Sequence, residues 1–255
     1  GSQYERTAQD VVRVSSAAEV TVPEVEQIEA FERLDKKKHC ETSPGQWFVY
    51  EQNLKIARSQ GMFEHGLRLG LTPHEIAALV GWTGGDHAFV NAIARGAEDV
   101  TFSIVDVNVP GYRVSCWLTR EDVEPYVALV SSSLHKLRPF TGARLWRGHR
   151  RPVEELVGKE VTLDGFTSFT PSRDRALEFL RGDVGHSAHR TLMVLTGHRS
   201  GKYIADFSLR RWEGEVLFPR KSRFRVVARG PSAEDALDIA EAEAALRQAL
   251  GAEAS

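Results

Sequence analysis

Two glutamates two residues apart, Glu213 and Glu215, stand immediately before the apolar run Val216-Leu217-Phe218-Pro219. Side chains alternate between the faces of a strand, so a Glu-x-Glu pair entering a strand presents both carboxylates on one side. Such a pair at the mouth of a sheet suits chemistry at a carbon that becomes cationic, because a fixed negative charge in a low-dielectric cleft stabilises the developing positive charge. It can equally be two solvated charges. Upstream lie Trp146-Arg147-Gly148, an arginine between an aromatic residue and a glycine, and Phe166-Thr167-Ser168-Phe169-Thr170. Taken singly, Arg147 reads as a surface arginine and Ser168 as a sheet hydroxyl.

The elements that must position these residues fall into two halves. After Pro23, Val25, Ile28, Phe31 and Leu34 recur at helical spacing, within a polar segment of residues 3 to about 45 that reads as peripheral and carries the charge run Asp35-Lys36-Lys37-Lys38. A helix is expected from Trp47 to about Gly61. Thr72-Pro73-His74-Glu75 supplies an N-cap, a proline at the first helical position and a capping-box glutamate. Gly81 and Gly84-Gly85 are expected to break the chain, with Asp86 capping a helix that buries Phe89, Val90 and Ile93 and ends at Gly96. Val100, Phe102 and Ile104, then Pro110-Gly111, then Tyr112, Val114 and Cys116 read as a hairpin inserted between helices. Thr119 and Asp122 open a further helix that runs to Pro139.

The second half is mostly strand: 144–148, 161–169, 191–195, 203–207, 215–218 and 224–227. A helix from Ser172 to Leu180, with Ala176, Phe179 and Leu180 on one face, interrupts it, and an Ala/Glu-rich helix follows Pro231. Helices first and strands afterwards argue for α+β.

The composition sets few other limits. The 255 residues carry 33 basic and 35 acidic side chains, a formal net charge of −2, so no global field points to nucleic acid or membrane. Charge is nevertheless uneven: Lys202, Arg210, Arg211, Arg220, Lys221, Arg223, Arg225 and Arg229 crowd the C-terminal third, as a solvated strand face or as a lip for an acidic partner. Cys40 and Cys116 form no disulfide framework and suggest a reducing compartment. No apolar run is long enough to span a bilayer. Gly1-Ser2 has the look of a cloning remnant, so a removed leader would be out of view. No histidine stands at metal-ligand spacing, His149, His186 and His189 included, and no metal is expected.

The three stretches come in a fixed order behind a helical region, and together they resemble the arginine–serine–glutamate class of mono-ADP-ribosyltransferases, which includes cholera-like toxins, bacterial effectors and vertebrate ecto-enzymes. The resemblance spans residues 70 to 228. It takes in 83–96 with Phe89, Asn91 and Arg95, the Ala176-x-x-Phe179 helix, and Glu215 to Pro219. One departure stands out: the usual Ser-Thr-Ser reads Ser168-Phe169-Thr170.

The resemblance implies an N-terminal helical part followed by a mixed, mainly antiparallel two-sheet core. It divides the chain into an extension (1–65), a catalytic domain (66–230) and a C-terminal helix (231–255). The implied co-substrate is NAD. Arg147 would hold its phosphate or ribose, Gly148 would approach the nicotinamide carboxamide, and Phe166 or Phe169 would stack on the ring. Ser168 would fix Glu215, and Glu215 would stabilise the oxocarbenium-like state. Glu213, one pleat before Glu215, and Trp212, on the 206–212 turn, would face the acceptor. A carboxylate at 213 favours arginine on a host protein as that acceptor. NAD hydrolysis, transfer to Thr, Ser or Asn of a target such as ubiquitin, and a catalytically inactive binding module stay open. The implied setting is a monomeric, secreted bacterial effector or toxin acting in the host cytoplasm, with no nucleic-acid partner.

Overall fold

The structure, a computed structural model, describes residues 8–14, 25–32, 34, 40–43, 49–105, 113–141, 144–149, 157–181, 191–230 and 233–253. The charge run at 35–38, Pro23, Trp47, Pro110-Gly111, Tyr112, His186, His189 and Pro231-Ser232 lie outside these residues. In chain order the first half comprises β1 (Ala8–Val14), α1 (Val25–Glu32), β2 (Cys40–Ser43), α2 (Val49–Ser59), α3 (Met62–Arg68), α4 (Pro73–Gly81), α5 (His87–Ala94), β3 (Asp99–Val105), β4 (Arg113–Thr119) and α6 (Arg120–Lys136). The second half comprises β5 (Leu145–His149), β6 (Glu160–Leu163), β7 (Thr167–Phe169), α7 (Arg173–Arg181), β8 (Thr191–Thr196), β9 (Lys202–Tyr203), β10 (Val216–Phe218), β11 (Ser222–Arg229) and α8 (Ala233–Glu253).

This is an α+β fold with a helical layer and a mainly antiparallel two-sheet core, as the sequence leads one to expect. A five-stranded sheet runs β5-β8-β1-β11-β6, with β1 parallel to β8 and the other pairs antiparallel. A three-stranded sheet runs β7-β10-β9. The expected hairpin forms from β3 and β4, and β2 joins it in a third small sheet.

Three expectations change here. The reading of 3–45 as peripheral fails, because β1 is the middle strand of the larger sheet and Phe31 and Leu34 are fully buried. Period alone could not show this: a seven-residue strand isolated from its partners carries no register information. The expected strand 161–169 is two strands in different sheets, β6 and β7, parted at Asp164-Gly165. The expected strand 203–207 shortens to β9 and continues as a 3-10 turn, Ala205–Phe207.

The helical layer packs around Tyr126 of α6, whose ring meets Phe31 edge-on at 5.0 Å and Phe89 at 5.8 Å. The capping box is complete: the Thr72 hydroxyl accepts from Glu75 N at 3.2 Å, and the Glu75 carboxylate accepts from Thr72 N at 2.9 Å. Glu75 is also held by the Ser132 hydroxyl at 2.6 Å and Lys136 at 2.9 Å, so this cap ties α4 to α6. The same pairing of Thr119 and Asp122 starts α6.

Gly81 does not break α4; the helix runs through it into a π-helical turn, Trp82–Asp86, kinked at Gly85 with φ 126°. Asp86 does not cap α5 through its side chain. It is buried and accepts a 2.8 Å hydrogen bond from the Tyr126 hydroxyl.

Burial pushes the Asp86 carboxyl up to about 7, with the Tyr126 bond opposing the shift. A carboxyl held above its unfolded value of about 3.9 keeps its proton in the fold when the unfolded chain has lost it. Folding therefore loses stability as pH climbs between these two values, by about 4 kcal/mol at most, and no further above about 7. Asp86→Asn removes this dependence while leaving an acceptor for Tyr126. Denaturant midpoints measured from pH 5 to 8 should rise for the variant relative to wild type as pH increases; a constant offset would mean that Asp86 does not titrate in this range.

Candidate active site

The two sheets meet at a single rung outside the strand pairings, where Trp146 of β5 and Thr170, just past β7, exchange N–H···O bonds of 2.8 Å in both directions. The antiparallel register of this rung brings Arg147 within one residue of the place of Ser168 on the neighbouring strand, and the Arg147 guanidinium donates to the Ser168 carbonyl at 2.8 Å. On the other side β7 pairs with β10, which places Ser168 opposite Leu217. Glu215 lies just ahead of β10, and its Oε1 accepts from the Ser168 hydroxyl at 2.5 Å.

A second donor reaches the same oxygen. The indole Nε1 of Trp82, on the π-helical turn, donates to Glu215 Oε1 at 3.0 Å. Burial raises the Glu215 pKa above its ordinary value, and the bonds from Ser168 and Trp82 and the nearby His87 oppose that rise. Arg147 is pulled down to about 10 by burial and by Arg95, with Glu215 opposing. A carboxylate and a guanidinium thus share a poorly solvated site with two like-charged neighbours, Arg95 beside Arg147 and Glu213 beside Glu215.

These groups line a cavity of about 520 Å³, within the range that holds small ligands and cofactors. Every residue picked from the sequence, Arg147, Gly148, Phe166, Ser168, Phe169, Trp212, Glu213 and Glu215, contributes to its lining. Several do so differently from expectation. Glu213 is not one pleat before Glu215 on a strand: it ends a 3-10 turn, Arg211–Glu213, and Gly214 follows with φ 58°. The left-handed glycine turns the chain so that both carboxylates still reach the cavity. Glu213 is half-exposed, with the Arg210 guanidinium 3.7 Å from it.

Phe166 and Phe169 are 1% and 3% exposed and serve the two cores. Phe166 packs edge-on against Trp82 at 5.3 Å, and Phe169 against Phe218 at 5.2 Å, which leaves neither ring a free face of any size. The aromatic residues that stand open at the cavity are Phe179 of α7, 59% exposed, and Trp212, 62% exposed. Phe179 therefore departs from the buried face that Ala176 and Leu180 form. Gly148 is needed for packing: a Cβ there would come within 2.6 Å of the Ala176 carbonyl and 2.7 Å of Leu180. The hydroxyl of Thr170 accepts from Ser172 N at 3.1 Å, which commits it to the turn before α7.

Arg95, which the resemblance took in, and Arg210 of the basic C-terminal third also line this cavity, whereas sequence reasoning missed the contributions of Trp82, His87 and Arg175. The glycine-rich stretch after Trp82 read as a break between helices, and only the contact with Glu215, 133 residues away, reveals its use. Asn91 has a signal that could have been weighed. It is a polar residue on the apolar face of α5, and its side chain clips β7 by donating to Phe166 O at 2.9 Å and accepting from Phe166 N at 2.8 Å. Among the described residues no group of His, Cys, Asp or Glu is arranged to hold a metal ion, and no helix is long and apolar enough to cross a membrane.

No family model matches this sequence, and no curated protein matches it. Solved structures do. The chain is similar to the ADP-ribosyltransferase HopU1 of Pseudomonas syringae pv. Tomato, with TM-score 0.54 and 17% identity over 81% of this chain and 92% of that one. It is similar also to the type III effector XopAI of Xanthomonas axonopodis pv. citri, with TM-score 0.50 and 15% identity over 82% and 78% of the two chains. The fold is that of the ADP-ribosyltransferases. A weaker likeness, TM-score 0.46 at 21% identity over 71% of this chain and 76% of that one, extends to the Vis toxin of Vibrio splendidus, itself an ADP-ribosyltransferase.

Within this ADP-ribosyltransferase fold, the clip from Asn91 should matter for stability apart from any chemistry. Asn91→Ala removes both bonds to Phe166, and a loss of about 1–3 kcal/mol is expected from urea unfolding. A change below about 0.5 kcal/mol would mean that β7 needs no support from α5.

Proposed function

We propose that the cavity binds NAD and that the protein transfers ADP-ribose from it to an arginine side chain of a host protein, releasing nicotinamide. The observation that carries this reading is the meeting of Arg147, Ser168 and Glu215 from three separated stretches, with Ser168 Oγ 2.5 Å from Glu215 Oε1 and Arg147 bonded to the Ser168 backbone. The likeness in fold to HopU1 supports the same reaction class.

In this reading Arg147 presents its remaining N–H groups to the diphosphate or the adjoining ribose. Glu215 directs its free oxygen at the nicotinamide-ribose 2′-hydroxyl. As the N-glycosidic bond breaks, the electron pair leaves with nicotinamide, and the positive charge that develops on the ribose is stabilised by the buried carboxylate. Glu213 binds the acceptor guanidinium and takes its proton as nitrogen bonds to the ribose carbon. Phe179 and Trp212, open at the rim, take over the stacking role first given to Phe166 and Phe169. The catalytic unit we propose is 66–230 completed by β1, acting as a monomer. The likeness to XopAI, named a type III effector, supports placing its action in a host cytoplasm.

The test is incubation with labelled NAD and a host-cell lysate, with mass spectrometry of labelled proteins and assay of free nicotinamide. Wild type should label arginine, and Glu215→Ala should lower turnover by about a thousandfold or more. Nicotinamide release without label would replace transferase by NAD hydrolase, and wild-type turnover by Glu215→Ala would overturn the site. Glu213→Gln should keep nicotinamide release within about threefold of wild type yet lose transfer to arginine; equal loss of both would remove its acceptor role. Because burial raises the Glu215 pKa and the ionised form is required, the acid limb of the rate profile should lie at higher pH than for an ordinary glutamate.

A further inference from the structure

The support of Glu215 comes from two directions, and only one belongs to the three stretches discussed above. Ser168 approaches from β7. Trp82 approaches from the helical layer, carried on a five-residue π-helical turn inserted between α4 and α5. Single π turns of this kind occur frequently at functional sites, because the extra residue re-aims a side chain without ending the helix. This one is fixed at several points. The Thr83 hydroxyl lies 2.9 Å from both Val80 O and Phe207 O and shares its proton between them. His87 Nδ1 is 3.2 Å from Trp82 O, and Asp86 is bonded to Tyr126. The Trp82 ring is 3% exposed and rests on Phe166. An indole N–H can only donate, so once held in this place it has one use.

Both donors converge on Oε1 of Glu215. Two bonds to a single oxygen restrain the rotamer, and neither donor engages Oε2. We propose that Trp82 is a positioning residue for Glu215, which, together with Ser168, commits Oε1 to the protein and reserves Oε2 for the ribose hydroxyl. This rests on the function proposed above for what Oε2 meets, but not for the clamp itself.

Trp82→Phe keeps the aromatic packing on Phe166 and removes the donor. The turnover rate kcat for nicotinamide release should fall about tenfold to a hundredfold, the size expected for a lost bond to a charged group, while KM for NAD stays within about twofold. The acid limb of kcat should also move to higher pH, since one of the bonds favouring the ionised carboxylate is gone. His87, Glu213 and Arg147, the other charged or titratable groups facing Glu215, are unchanged in the variant. A kcat and pH profile equal to wild type would overturn the clamp.

A second measurement does not depend on the variant's folding or on activity. In wild-type protein labelled with [15N]tryptophan, one of the five indole signals should follow the protonation of Glu215 and be displaced in Glu215→Gln. If no indole signal responds, the clamp is wrong. If an indole responds while Glu215→Gln turns over NAD as well as wild type does, the clamp stands and the functional reading falls.

Discussion

The site depends on one joint between two sheets. The strand β5 ends the five-stranded sheet and β7 ends the three-stranded one, and the paired bonds between Trp146 and Thr170 are what align them. Register is fixed by such a rung, and this one brings Arg147 within one residue of the place of Ser168 on the neighbouring strand, close enough for a long side chain to reach it. The bond from Arg147 to the Ser168 carbonyl then reinforces the same alignment from within the site. The planar fork of a guanidinium can hold a backbone carbonyl with one N–H and still offer others.

The joint also explains the electrostatics. Where two sheets splay apart, the gap between them is shielded from water yet open at one end, and charges placed there are poorly solvated. Glu215 and Arg147 shift in opposite directions for the same cause, burial. Neither is neutralised outright by a salt bridge: each has its own hydrogen-bond partners, and the two charges offset one another across the gap. The helical layer closes the third side, with Asn91 holding the start of β7 and Trp82 reaching Glu215.

Much of this was legible in the sequence where local rules act. The capping boxes at Thr72 and Thr119 marked the starts of α4 and α6, and alternation marked the β3–β4 hairpin. Arg147, Ser168 and Glu215 marked the cavity only through the resemblance that their three stretches carry together, since each taken singly reads as an ordinary side chain. What was hidden depends on contacts between distant parts of the chain. Phe169 looks like a ligand-stacking ring until Phe218 and Phe224 occupy its neighbourhood. Glu213 looks like a strand residue until Gly214 is seen in the left-handed region. Trp82 lies inside what the sequence shows as a break between helices, since a π turn and a helix break share the same glycines.

The position of β1 bears on how the chain assembles. It is inserted between β8 and β11, pairing Ala8 with Thr191 and Asp10 with Arg229, so roughly 180 to 220 residues separate partners in the middle of the sheet. Contacts of such long sequence separation form late, after the loop-closure entropy of the intervening chain has been overcome. During synthesis β1 emerges long before the strands it pairs with. The sheet that carries Arg147 is then completed by β1 joining strands made much later, and until that happens β8 and β11 expose unpaired edges.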